Sequence, residues 1–136
     1  MKDETKFLII DDSEIDRLIT SRLLNRHTTS ENIICLESAE KGLSWLKENR
    51  NKHGHLIIII DMRMPGLSGF EFLEIINLPE NNYTENAQVF MLSASLSIEE
   101  HQFAKTHKYI DRLFIKPLPL QELLRHISLV NAAEPC

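Results

Sequence analysis

Cysteine is scarce in the 136 residues: only Cys35 and Cys136 occur, too few for a disulfide framework. Four Gly and five Pro are too few for a collagen-like or linker-like chain. The longest apolar run, Leu56 to Ile60, is far short of the ~20 residues that span a bilayer. The charged start, Met1 to Lys6, leads into only four apolar residues, Phe7 to Ile10, which is too short for a signal peptide. No Lys/Arg run is present and the formal charge is −5. That balance argues against direct binding to nucleic acid or to an anionic membrane. A cytoplasmic protein is the expectation.

The chain is sized for one domain, at about 150 residues each. The expected domain covers residues 1–136, with a folded core at about 5–130 and a short C-terminal tail. Its core buries roughly two thirds of the unfolded chain's surface, so folding needs no staple. Five short apolar runs stand out: Phe7–Ile10, Ile33–Leu36, Leu56–Ile60, Val89–Leu92 and Leu113–Ile115. Most are uniformly apolar rather than alternating, the mark of strands covered on both faces. Cys35, within the second run, reads as a small buried hydrophobe.

Helix-length segments lie between and after the runs. Residues 13–27 carry Ile15, Leu18, Ile19 and Leu23 as a stripe; 39–50 carry Ala39, Leu43 and Leu46; 68–77 carry Phe72, Ile75 and Ile76. Residues 119–130 carry Leu120, Leu123, Leu124 and Ile127, and 97–107 is less apolar. Ser13 and Ser38 are placed as N-caps, Ser97 with Glu100 as a capping box, and Pro119 in a first helical turn. The pattern is strand–helix five times over. It predicts an α/β, doubly wound (βα)5 flavodoxin-like fold with a parallel five-stranded sheet in the order 2-1-3-4-5. Residues 79–86 read as a polar surface loop.

In such a sheet, ligands bind beyond the carboxyl ends of the strands. The first strand ends in Asp11-Asp12, the third in Asp61, the fourth in Ser93 and the fifth in Lys116-Pro117. Three neighbouring carboxylates repel one another and are relieved by a divalent cation; all-oxygen donors favour Mg²⁺, or Mn²⁺, over zinc. With a fixed ammonium and a hydroxyl nearby, the set suits phosphoryl groups, with an Asp as candidate nucleophile. Gly66 and Gly69 read as backbone devices of the third loop. The six His are scattered; His53 and His55 precede a strand without Cys or carboxylate at ligand spacing, which argues against a His metal site. No Gly-rich turn follows the first strand, which excludes a P-loop or dinucleotide enzyme.

Four segments together resemble the receiver domain of two-component response regulators: Phe7 to Asp12; Asp61-Met62-Arg63-Met64-Pro65-Gly66 with Gly69; Met91-Leu92-Ser93-Ala94; and Ile115-Lys116-Pro117. The resemblance spans nearly the whole chain. It implies that Asp61 accepts a phosphoryl group from a histidine kinase or histidine phosphotransfer protein. It implies Mg²⁺ held by Asp12, Asp61 and the backbone carbonyl of Arg63, with Asp11 acting mostly through water. It implies that Ser93 is the switch hydroxyl, that Lys116 pairs with the phosphoryl group or with Asp61, and that Pro117 follows a cis peptide. Self-phosphorylation and self-dephosphorylation on Asp would then be the only chemistry, with signalling through a downstream protein target. A stand-alone receiver is expected, as a monomer or a weak, phosphorylation-dependent dimer.

Two departures matter. Leu113 stands where the family commonly has a switching Tyr or Phe, and Phe114 should point to the opposite face. Arg63 and Ser95 occupy positions that tune phosphoryl lifetime in the family. Arg63 also argues against a haloacid-dehalogenase-type phosphatase, which needs a second Asp there. A receiver-fold adaptor that works without phosphate is the remaining alternative.

Overall fold

The computed structural model describes residues 5–49, 52, 54–81, 83, 86–94 and 97–132, with side chains to residue 127. The expected roles or placements of Ser95, His53, Cys136, part of the 79–86 loop and the end of the tail lie outside those residues.

Ten main elements alternate: β1 (Lys6–Ile10), α1 (Glu14–Leu24), β2 (Ile33–Leu36), α2 (Ala39–Glu48), β3 (Leu56–Asp61), α3 (Gly69–Ile76), β4 (Ala87–Ser93), α4 (Ile98–Thr106), β5 (Arg112–Ile115) and α5 (Leu120–Ala132). All strand pairs are parallel and the order is β2-β1-β3-β4-β5, as expected. The period-2 side-chain geometry of a strand divides the core in two. Leu8, Ile10, Ile58, Ile60 and Met91 pack with Leu46, Phe72 and Ile76 of α2 and α3. Phe7, Ile9, Ile57, Ile59 and Phe90 pack with Leu24 of α1 and Leu123 and Ile127 of α5. Full burial of each such side chain contributes about 1.5–3 kcal/mol. This two-sided core is why the central runs are uniformly apolar.

Caps set the helix starts. Ser13, Ser38 and Ser97 each accept from the backbone N–H three residues on. The reciprocal capping box lies elsewhere than expected: Ser68 and Glu71 form it at α3. Glu100 turns its side chain to Arg63 instead. Pro119 immediately precedes α5, and its carbonyl accepts the Leu123 N–H.

Two further expectations fail. Ile15, Leu18 and Ile19 face solvent; Thr20 and Leu24 are the buried residues of α1. On the inward side Arg17 Nη1 donates to the Asp11 carbonyl at 2.8 Å. Leu24 and the half-buried Leu23 join the core on that side. Cys35 is exposed: β2 is an edge strand, and the α1 side chains that reach Cys35, Arg17 and Ser21, cover it only in part. Partial burial still raises its thiol pKa, opposed by Arg17 and by a hydrogen bond with Ser21.

Two glycines shape the loop after β3, as expected. Gly66 has φ +79°, a left-handed conformation that disfavours a side chain. A Cβ on Gly69 would lie 2.6 Å from the backbone oxygen of Asp61. Gly69→Ala should therefore cost a net roughly 1–3 kcal/mol, read as a lower urea midpoint with an unchanged slope. An unaltered midpoint would mean that the loop relaxes freely.

Candidate functional site

The carboxyl ends of β1, β3, β4 and β5 deliver their terminal polar residues to one cleft of about 460 Å³. Asp12, Ser13, Asp16, Asp61, Ser93 and Lys116 line it. Asp11 lies directly beneath: it is 2% exposed, and its Oδ1 accepts the Ser13 N–H at 3.0 Å. Oxygens of Asp11, Asp12 and Asp61 fall within 4.8 Å of one another, the one such group among the described residues. All the donors are carboxylate oxygens, and Asp12 is exposed to solvent, so the set fits a hard divalent cation such as Mg²⁺.

Lys116 enters from the neighbouring strand end. Its backbone N–H donates to the Ser93 carbonyl at 2.9 Å, which fixes where the side chain begins. Its Nζ lies 2.8 Å from Asp11 Oδ2, 2.7 Å from Asp16 Oδ2 and 3.5 Å from Asp61 Oδ1. Although burial opposes the charge, those carboxylates raise the lysine pKa further above its ordinary value. The ammonium is therefore a permanent charge at neutral pH.

Asp61 behaves differently. Burial, and next the Asp11 charge, push its pKa up to about 6 despite Lys116 and the Arg63 backbone N–H. A carboxyl that is buried beside a second carboxylate, and only partly offset by Lys116, is a group that a bound cation would stabilise. Ser93, 1% exposed, stands at the adjacent strand end, where Asp61 pairs in register with Leu92. The peptide between Lys116 and Pro117 is cis, as expected.

All five candidate side chains thus converge: Asp11, Asp12, Asp61, Ser93 and Lys116. Arg63 lines the cleft too, but its guanidinium turns outward to the Glu100 carboxylate on α4. The loop that carries the acceptor candidate is thereby tied to α4. Leu113 packs against the α2/α3 side of the core, while Phe114 stacks on Phe90 on the opposite side, with ring centres 5.9 Å apart. The aromatic is therefore on the wrong face to enter the cleft. His55 bonds Gln88 at 2.7 Å near the amino ends of β3 and β4, remote from the carboxylates.

Sequence reading missed Asp16 and the outward role of Glu100. Asp16 was detectable in principle: in the first turn of α1, four residues after Asp12, it belongs to the same end of the sheet. Glu100 was assigned to its own helix cap, and nothing local betrays a contact 37 residues away.

The family model for the response regulator receiver domain matches residues 7–128. A two-component response regulator of Arabidopsis thaliana is 32% identical over 121 residues, covering 87% of this chain and 18% of that protein. A hybrid signal transduction histidine kinase of Dictyostelium discoideum is 35% identical over 91 residues, 66% of this chain and 5% of that protein. The chain thus spans less than a fifth of either relative. A crystal structure of a response regulator receiver protein from Dyadobacter fermentans superposes with a TM-score of 0.77 at 29% identity, covering 91% of this chain and 98% of the other.

Proposed function

The chain belongs to the response regulator receiver family of two-component signalling, and from that premise we propose that it accepts a phosphoryl group on Asp61. The donor is a phosphohistidine on a sensor kinase or histidine phosphotransfer protein. The receiver fold is not that of a classical enzyme family, and the chemistry proposed here is confined to making and hydrolysing one aspartyl phosphate. One observation carries the reading: Asp61 ends the fully buried strand β3 with Asp11 and Asp12 oxygens close by and the Lys116 ammonium 3.5 Å away.

Each residue then has a physical task. Asp61 supplies the nucleophilic oxygen. Asp11, Asp12, Asp61 and the Arg63 carbonyl are the groups that would hold Mg²⁺. When bound, the cation offsets the charge gathered between carboxylates and phosphoryl oxygens. Lys116 pairs with a phosphoryl oxygen, which extends farther from β3 than the bare carboxylate does. The Ser93 hydroxyl donates to another, a charge-assisted bond worth about 1.5–3 kcal/mol. Its inward pull on the β4–α4 loop is the proposed switch. With Leu113 in the aromatic position, the change passes to α4 without a ring flip, and the Arg63–Glu100 pair is a direct route for it.

No helix among the described residues is long and apolar enough to cross a membrane. We place the domain in the cytoplasm, signalling to a protein target rather than to DNA, as a single receiver unit.

The test is intact-mass analysis after mixing with acetyl phosphate. One phosphoryl group should add with Mg²⁺ present, and formation should fall by more than about tenfold in excess chelator. An adduct that forms equally fast in chelator would remove the metal from the proposal. No adduct from any donor, protein or small molecule, would favour an adaptor that works without phosphate.

A further inference from the structure

Lys116 has more partners than the proposed phosphotransfer requires. An ammonium offers three N–H donors. Here Asp16 and Asp11 hold it at 2.7 and 2.8 Å, and Asp61 receives only the 3.5 Å contact. Asp16 is not one of the three clustered carboxylates. Its backbone is pinned in the first turn of α1, where its N–H donates to the Ser13 hydroxyl at 3.2 Å. Its side chain is 34% exposed, against 3% for Asp11 and 11% for Asp61. Of the three partners of Lys116, Asp16 is therefore the one at the mouth of the cleft, and it lines that cleft.

We propose that Asp16 is a positioning residue for Lys116 and a charge filter on the phosphoryl donor, holding the ammonium in the resting state and repelling small anionic donors at the cleft mouth. The inference rests on the phosphoacceptor reading of Asp61. Asp12, Asp16 and Asp61 line the cleft beside Lys116 and Arg63, with Asp11 beneath. A bound divalent cation would cancel part of that negative charge, so the repulsion that an incoming dianion meets is local, set by the carboxylates nearest its path. Asp16 adds to that repulsion without being a cation ligand. A donor carried on a protein surface brings its own contacts to offset the barrier, whereas a free small donor does not. The filter thus favours protein phosphohistidine over free acyl phosphates.

Donor charge separates this role from a merely structural one. Acetyl phosphate is a dianion near neutral pH; its P–O bond breaks with the electron pair leaving on acetate as the new P–O bond to Asp61 forms. Phosphoramidate is a zwitterion of net charge −1; its P–N bond breaks and ammonia leaves with the pair, already carrying its protons. Asp16→Asn should speed adduct formation about fivefold with acetyl phosphate and about twofold with phosphoramidate, because repulsion scales with donor charge. The difference should shrink in about 0.5 M KCl. Asp16→Glu should behave as wild type. Equal factors for the two donors, or slowing with both, overturn the filter.

The anchor is read without any phosphotransfer. In metal-free protein the Lys116 ammonium should give a resolved ¹H–¹⁵N signal in wild type and in Asp16→Glu, broadened by solvent exchange in Asp16→Ala. A signal equally sharp in Asp16→Ala overturns the anchor. If the wild type takes no phosphoryl group from either donor, the Asp61 reading and the filter fall together, while the ammonium signal still decides the anchor.

Discussion

Asp61→Asn should take up no phosphoryl group from acetyl phosphate and Mg²⁺, a loss of more than about a hundredfold, while keeping the sheet intact. The carboxamide has nearly the shape of the carboxylate but lacks a nucleophilic oxygen anion. β3 is buried along its whole length and pairs with strands on both sides, so the substitution leaves the backbone held. Substitute acceptors are poor. Ser93 is 1% exposed, and Asp11 is engaged by Lys116 and the Ser13 N–H. Asp12 is the exposed carboxylate left. Intact mass with peptide mapping decides the matter, alongside circular dichroism to confirm the fold. A stoichiometric adduct on the variant, for instance at Asp12, would move the acceptor away from Asp61.

The same substitution should stabilise the metal-free protein, and by an amount that depends on pH. The folded-state pKa of Asp61 is raised from 3.8 to about 6, chiefly by burial and by the Asp11 charge. Between those values the folded chain holds a proton that the unfolded chain has released. Stability therefore falls as pH rises through that window, and the wild type bears the full cost above about pH 6. The shift corresponds to roughly 2–3 kcal/mol. Asp61→Asn has no charge to bury there. In chelator it should be more stable than wild type by about that amount at pH 7.5, with the gain shrinking towards zero near pH 4. Urea midpoints of both proteins across that range provide the measurement. A difference constant with pH would show that desolvation and repulsion do not act on Asp61 as the geometry requires. Mg²⁺ should raise the midpoint of the wild type more than that of the variant, because the cation binds the folded cluster and not the dispersed carboxylates of the unfolded chain.

The placement of the cleft was legible because a parallel sheet makes strand ends easy to find. Where Ile60 gives way to Asp61, or Leu92 to Ser93, the chain leaves the doubly covered layer, and polar side chains can sit there at little cost. Lys116-Pro117 marks the end of β5 in the same way. Once the strand order follows from the alternation of strands and helices, these ends must share an edge. The positions of Leu113 and Phe114 followed from strand alternation alone, and the structure places them on opposite faces as that alternation requires.

What one-dimensional pattern determined, then, was which segments are strands, in what order they lie and which polar residues reach the carboxyl edge. Those properties depend on continuous apolarity and on the period of 2, both local. Tertiary structure alone decided how α1 is rotated about its axis. Its stripe at 15-18-19 was the face expected to be buried, yet it lies in solvent while Thr20 and Leu24 are buried and Arg17 bonds the Asp11 carbonyl at 2.8 Å. It decided that Cys35, in an apolar run, would lie exposed on an edge strand. It also decided that Asp16 would hold a lysine 100 residues away and that Glu100 would leave its own cap for Arg63. Each of these is a choice between partners of similar local merit, and the energy that separates them comes from groups far apart in the chain, brought together only when the sheet and its helices have packed.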